Sequence, residues 1–213
     1  ESDKRGPMCG WYRDSHYRST HGSINVISAI NYSCNYFFYE VADRLGIEKI
    51  KKWASNLGLL DKTNIELTSE KVGIVGDQKT IYDSERAISE QDTSLPYLVF
   101  KSIRTQLVEC AEKSEKTLTD AEINSIISQC FALIGRPRNE VYSEITKILV
   151  DGYGLSSAYV NSVTKYEIYS YLVQITWTPT NTIQTGIGQS ITTVTPIAVA
   201  RYISAIVNGG YVY

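Results

Sequence analysis

Ser33 and Asn35 flank Cys34 in the segment Asn31-Tyr32-Ser33-Cys34-Asn35. A hydroxyl and a carboxamide set in a tight turn between two helices can face one cleft. The hydroxyl can relay a proton. The carboxamide can donate to and accept from a peptide-like ligand. The bare Ser-x-Asn pattern carries no information, because three-residue matches recur by chance. The same two side chains also suit caps at a helix–turn–helix junction. A second set of residues overlaps this one. Cys34 lies inside the turn, His21 lies one short helix earlier, and Cys9, Asp14 and His16 precede it. Thiolate, imidazole and carboxylate together make a tetrahedral zinc set. The alternative is that Cys34 is a small buried hydrophobe and that His21 bonds a backbone carbonyl.

The elements around the turn follow from apolar spacing and caps. Residues 1–22 read as irregular, punctuated by Gly6, Pro7 and Gly10. Ser23 is a candidate N-cap for a helix over Ile24–Ile30, and helical spacing resumes from Tyr36 to Leu45 before Gly46. A third amphipathic segment, Ile47–Leu57, sets Ile50, Trp53, Ala54 and Leu57 on one face, which places Trp53 in the core. Residues 59–92 read as loop, with strand candidates at Thr63–Leu67 and Val72–Val75. Helices are predicted over Leu95–Lys113, from the capping box Thr119-x-x-Glu122 to about Leu133, over Asn139–Val150, and from Ser156 or Ser157 toward Leu172. Thr176–Gly188 has turn chemistry. Thr195-Pro196 starts a last helix, Ile197–Val207, closed by Asn208-Gly209-Gly210. Tyr211-Val212-Tyr213 reads as the first residues of a strand, as in a piece of a larger protein.

Composition narrows the classes. The 213 residues carry a formal net charge of −2, with 43% hydrophobic and 21% charged residues, which is ordinary for a globular domain. There is no basic excess of the kind phosphate contacts need, so nucleic acid is not an expected partner. No apolar run approaches the ~20 residues that span a bilayer, and the opening residues lack a signal-peptide apolar region. Sixteen tyrosines against four phenylalanines are read as compositional drift. No CxxC occurs among the four cysteines, and Cys110 and Cys130 fall on apolar helix faces, as core thiols do. Glu109–Lys116 reads as a solvated helix end. Gly186-Ile187-Gly188 is not a nucleotide loop, because no strand–helix pair with the required glycine spacing surrounds it.

Three ordered blocks resemble one family. His21-Gly22-Ser23-Ile24-Asn25, with Ile30 to Tyr39 and Ala42-Asp43-Arg44-Leu45-Gly46, resembles the SxN region of class B penicillin-binding proteins, most closely the elongation and sporulation types. Gly58-Leu59 through Thr63-Asn64-Ile65-Glu66-Leu67 resembles the loop that follows. Ile187-Gly188-Gln189-Ser190, Thr192 to Pro196 and Asn208-Gly209-Gly210 resemble the stretch before the KTG strand. The resemblance covers roughly residues 9–76 and 176–213, with the SxN region at 21–60. The helical block at about 78–175 reads as an insertion without a counterpart, either a bland elaboration or a contact surface.

The resemblance implies the serine β-lactamase/D,D-transpeptidase α/β fold, here mainly its helical lobe plus the insertion. It implies an enzyme that crosslinks peptidoglycan stem peptides by acyl transfer and is acylated by β-lactams. Ser33 would shuttle a proton and Asn35 would hold the acyl amide. Some members carry zinc beside SxN, on a Cys within it and the His of the preceding His-Gly. Here those residues are Cys34 and His21, and Cys9 and Asp14 complete the preferred set, with His16 the alternative. Such zinc is structural. The enzyme would act on the outer face of the cytoplasmic membrane, anchored by a helix not in these residues, with a glycosyltransferase as a candidate partner. The family's SxxK and KTG motifs are absent. Ser162-Val163-Thr164-Lys165 fits SxxK but lies downstream, inside the insertion, and is read as chance. These residues alone are expected to be inactive. The competing expectation is a zinc-stabilised sensor or scaffold of the same fold without turnover.

Overall fold

The computed structural model describes Cys9, residues 20–66 and residues 68–212. Among the described residues the α-helices of four or more residues are, in chain order, α1 (Val26–Asn31), α2 (Asn35–Leu45), α3 (Ile47–Asn56), α4 (Gln78–Ile81), α5 (Leu95–Lys113), α6 (Asp120–Phe131), α7 (Arg138–Thr146), α8 (Lys165–Gln174), α9 (Pro179–Thr185) and α10 (Pro196–Val207). Strands β1 (Ile74–Val75) and β2 (Thr192–Thr193) pair antiparallel, Ile74 opposite Thr193 and Val75 opposite Thr192. The chain divides into two compact units. The first runs to Asp77 and resumes at Thr178; the second is Gln78–Trp177. Among the described residues no helix is long and apolar enough to cross a membrane.

The first unit holds the Ser33–Asn35 turn. Helix α1 begins later than expected, because Asn25 rather than Ser23 is the cap: its side-chain oxygen accepts from Ser28 N at 2.9 Å. Helix α2 stops at Gly46, whose φ of +73° suits glycine, and α3 follows at once. Trp53 is a correction. It is 60% exposed. Ile50, Ala54 and Leu57 form the half-buried line of α3, and the indole lies one position round the helix from it.

The expected strand at Thr63–Leu67 is also absent among its described residues. The Glu70 carboxylate captures the backbone there instead. One oxygen accepts from Thr63 N at 2.7 Å and Thr63 Oγ1 at 2.6 Å, and the other accepts from Asn64 N at 3.1 Å. Asn64 sits at φ +58°, which an extended ladder cannot include. The Arg201 guanidinium of α10 then ties the preceding loop down. It donates to Gly58 O, to Asp61 O at 2.9 Å and to Lys62 O at 3.0 Å.

Thr176–Gly188 holds helix α9 rather than turns alone. Thr178 caps it, Asn181 reciprocates, and Pro179 opens it. Thr195 caps α10 as its Oγ1 accepts from Ala198 N at 3.3 Å. Helix α10 is apolar around most of its circumference. Ala198 and Ala205 are buried, while Ile203, Ile206 and Val207 are exposed. Asn208 exchanges two hydrogen bonds with Tyr211, and neither Tyr211 nor Val212 is in a strand among the described residues.

The second unit has its own core. Val99, Ile103, Leu107 and Cys110 of α5 pack with Ile126, Ile127 and Cys130 of α6, Ile145 of α7, and Ile168 and Leu172 of α8. Cys110 and Cys130 are fully buried there, as their apolar faces require. The Thr119–Glu122 capping box is present. The expected helix Asn139–Val150 gives way after Thr146 to a π-helical turn, Lys147–Gly152, and a second such turn spans Val160–Thr164. Gln78 clasps the two ends of the unit. Its amide nitrogen donates to Ile175 O at 3.0 Å, and its oxygen accepts from Trp177 N at 2.8 Å. Ser162 and Lys165 form no nucleophile–base pair: Ser162 Oγ donates to Tyr159 O, and Lys165 Nζ donates to Asn161 Oδ1 at 2.9 Å.

Candidate active site and metal cluster

The turn between α1 and α2 is built by backbone geometry. Ser33 N donates to Ile30 O at 3.1 Å and Cys34 N donates to Ala29 O at 2.9 Å. Ser33 adopts φ +49°, the left-handed region a non-glycine residue enters only at some cost. The chain reverses there within one residue. Cys34 is the N-cap of α2 and turns inward, 5% exposed, while Ser33 and Asn35 face solvent on either side of it. Among the described residues neither the Ser33 hydroxyl nor the Asn35 carboxamide is tied into a hydrogen bond. Both are therefore presented to an incoming ligand. Tyr36 follows on the same helix, and its hydrogen bond to the Glu40 carboxylate pushes its phenol upward.

Helix α2, which carries Asn35, is set by close contact with α9. A Cβ placed on Gly186 would lie 2.5 Å from Ala42 Cβ and 2.8 Å from Phe38 O. Only glycine lets the two backbones approach this far. The sequence reading considered Gly186 solely as a nucleotide-loop residue and missed this role. Its place after a Thr178-Pro179 helix start was the available signal.

Behind the turn, Cys9, His21 and Cys34 converge. Their donor atoms all lie within 4.8 Å of one another, and Cys9 Sγ is 3.5 Å from His21 Nδ1. The Tyr32 ring stacks on His21 with centroids 5.2 Å apart and planes 5° apart, which orients the imidazole. A tetrahedral zinc shell sets sulfur and nitrogen donors about 3.5–3.8 Å from one another, so a small closure of this cluster would accommodate the ion. Two thiols and an imidazole are the soft donors zinc prefers. Asp14 and His16, the remaining expected ligands, lie outside the described residues.

The comparisons with known proteins bear on the same region. The family model described as "Penicillin binding protein transpeptidase domain" matches residues 2–97 and 130–213. It leaves 98–129 unmatched, a shorter stretch than the expected insertion at about 78–175. Peptidoglycan D,D-transpeptidase MrdA of Acinetobacter baumannii is 35% identical over 57 residues, 27% of this chain and 8% of that protein. MrdA of Escherichia coli is 32% identical over 72 residues, 30% of this chain and 11% of that protein. Stage V sporulation protein D of Bacillus subtilis is 34% identical over 70 residues, 33% of this chain and 11% of that protein. The chain thus covers about a tenth of the length of these curated relatives. No solved structure matches it. The family model accounts for most of the chain, both ends of the first unit included, and the chain belongs to the penicillin-binding protein transpeptidase domain family.

Proposed function

We propose that the chain supplies the helical wall of a peptidoglycan D,D-transpeptidase site, with Ser33 and Asn35 as its polar face. The observation that carries this reading is the turn itself. A left-handed Ser33 exposes its hydroxyl beside the carboxamide at the start of α2, within the span the family model matches. In the proposed reaction a serine supplied by another part of the longer protein attacks the penultimate D-alanine carbonyl of a stem peptide. The peptide bond breaks and the terminal D-alanine leaves as the amine. Ser33 passes a proton toward that amine, and Asn35 hydrogen-bonds the acyl chain's amide. An acceptor amine then takes the acyl group, which forms the crosslink and frees the serine. β-Lactams, which mimic the donor, acylate the same serine.

Cys9, His21 and Cys34 would hold zinc, with Asp14 as fourth ligand and His16 as the alternative. When bound, the ion supplies a closed structural link with no open position for water. It would pin the segment around Cys9 to the Ser33–Asn35 turn. The exposed apolar face of α10 supports a place inside a larger domain, since a helix apolar over most of its circumference is ordinarily covered. The reading places the longer protein on the outer face of the cytoplasmic membrane, anchored there, with a glycosyltransferase of the cell-wall machinery as its partner.

The test uses the longer protein and a fluorescent penicillin. A covalent adduct should form, and Ser33→Ala should slow its formation about 10²-fold, the scale of a lost proton relay. No adduct under conditions that label a control enzyme would overturn the reading.

A further inference from the structure

Arg138 of α7 and Lys165 of α8 bond neutral partners. Arg138 Nε donates to Tyr142 Oη at 2.8 Å, and Lys165 Nζ donates to Asn161 Oδ1 at 2.9 Å. Among the described residues neither cation forms an ion pair. Both stand over tyrosine rings. The Arg138 guanidinium carbon lies 5.1 Å from the Tyr142 centroid and 5.7 Å from that of Tyr169. Lys165 Nζ lies 5.2 Å from the Tyr166 centroid and 5.9 Å from that of Tyr142. The rings brace one another edge to face, Tyr142 against both Tyr166 and Tyr169 with centroids 5.0 Å apart in each pair. Arg138 and Tyr166 are exposed, and Tyr142, Lys165 and Tyr169 are half-buried.

The acids of the same helices do not offset this charge. Glu140 pairs with Arg136 at 2.9 Å, and Glu144 pairs with Lys147 at 2.7 Å. Glu167 stands two residues from both Lys165 and Tyr169, a spacing that turns helical side chains apart. The face therefore presents two positive charges on a chain whose net charge is −2. Tyrosine and arginine are also the residues enriched where proteins bind one another. We propose that the α7–α8 face is a docking surface for an acidic peptide segment of a partner protein, with one carboxylate on Arg138, a second on Lys165, and the chain between them laid across the tyrosine cluster.

The cations are set before a ligand arrives. Tyr142 Oη and two rings fix the guanidinium, and among the described residues its terminal nitrogens make no hydrogen bond, which leaves them for a bidentate carboxylate. Asn161 holds Lys165, which keeps two of its three protons for a second carboxylate. Such preorganisation lowers the ordering cost that ordinarily cancels exposed ion pairs. Carboxylates on alternate residues of an extended peptide point to one side about 7 Å apart, within reach of two cations that share the Tyr142 ring. A phosphate polymer suits this face less, since rows of cations hold such ligands and here two cations stand among three tyrosines. The surface lies wholly in the second unit and requires nothing of the transpeptidase reading.

The experiment titrates the isotopically labelled 213-residue chain with a synthetic Ser-Glu-Ser-Glu-Ser peptide, blocked at both ends, and follows amide shifts by NMR. Saturating shifts are expected within residues 138–146 and 161–169, with a Kd on the order of 1 mM that weakens as salt rises. The same peptide with glutamine for glutamate should leave those residues unshifted. Arg138→Gln combined with Lys165→Gln should weaken binding about tenfold or more, because both charge-assisted contacts are lost. Inorganic polyphosphate of matched charge should bind these residues more weakly than the glutamate peptide. Equal shifts with the glutamine peptide, no shift at about 10 mM glutamate peptide, shifts confined to other residues, unchanged binding in the double variant, or polyphosphate binding at least as tight would each overturn the proposal. The decisive comparison of the two peptides uses the unmutated chain, so it does not depend on a variant folding.

Discussion

Replacing Gly186 by alanine probes how α2 is held, and with it Asn35. The added Cβ would stand 2.5 Å from Ala42 Cβ and 2.8 Å from Phe38 O. Ordinary carbon contacts begin near 3.5 Å, so α2 and α9 must part by about 1 Å. Phe38 O is backbone and cannot rotate away. Overpacking of this kind costs roughly 1–3 kcal/mol. A 1 Å displacement of a positioning helix can also cost about 10²-fold in rate. Amide hydrogen exchange along Tyr39–Leu45 reads the effect locally, and β-lactam acylation of the longer protein reads its consequence. Ala42→Gly in the same background removes the closer of these two clashes and should restore part of the protection. Gly152→Ala is the control, since its nearest neighbour is Lys147 O at 3.9 Å. Unchanged α2 protection and acylation in Gly186→Ala would refute the claim that this crossing positions the helix.

Other consequences can be checked separately. Native mass spectrometry should find one zinc on the chain that a strong chelator removes and that Cys34→Ser never binds; equal metal content in that variant would contradict the cluster. The Thr63 hydroxyl and backbone hold the Glu70 carboxyl below its ordinary value of 4.5. Its folded pKa is depressed, so its contribution is complete above that value and fades as pH falls through the lower folded pKa. Protection of the Thr63 and Asn64 amides, taken relative to their intrinsic exchange rate at each pH, should therefore fall in acid, and Glu70→Gln should remove that pH dependence. Gln78→Ala removes the clasp at the ends of the second unit. It should destabilise that unit by roughly 1–3 kcal/mol, because partners are left unsatisfied, with loss of Trp177 amide protection as the readout.

What the sequence made legible was local. The Thr119–Glu122 box and the Thr195-Pro196 start act within one turn of chain, and both helices lie where those residues put them. Residue type made Cys9, Asp14, His16, His21 and Cys34 candidates and the family resemblance singled out His21 and Cys34; of these, Cys9, His21 and Cys34 converge, and Asp14 and His16 lie outside the described residues. The misses depended on distant partners or on signals with two readings. Trp53 lies beside an apolar stripe, and a stripe does not say which of its edges is covered. The segment Thr63–Leu67 read as a strand candidate, but the Glu70 carboxylate, further along the loop, takes the Thr63 and Asn64 amides. Helix α9 was hidden because Thr178-Pro179 starts either a turn or a helix. The π-helical turns at Lys147–Gly152 and Val160–Thr164 leave no period in the sequence that separates them from α-helix. Gly186 is required by a contact with Ala42 and Phe38, and neither is near it in sequence.

The central claim is that Ser33 and Asn35 line an acyl-transfer site. Its most direct test is release of D-alanine from a pentapeptide stem donor by the longer protein, with and without Asn35→Ala. The account predicts release by the unmutated protein and a fall of about 10²-fold in the variant, the scale of a substrate left misplaced by about 1 Å, with α2 still protected from exchange. Equal release by both proteins would remove Asn35 from the site and contradict the account.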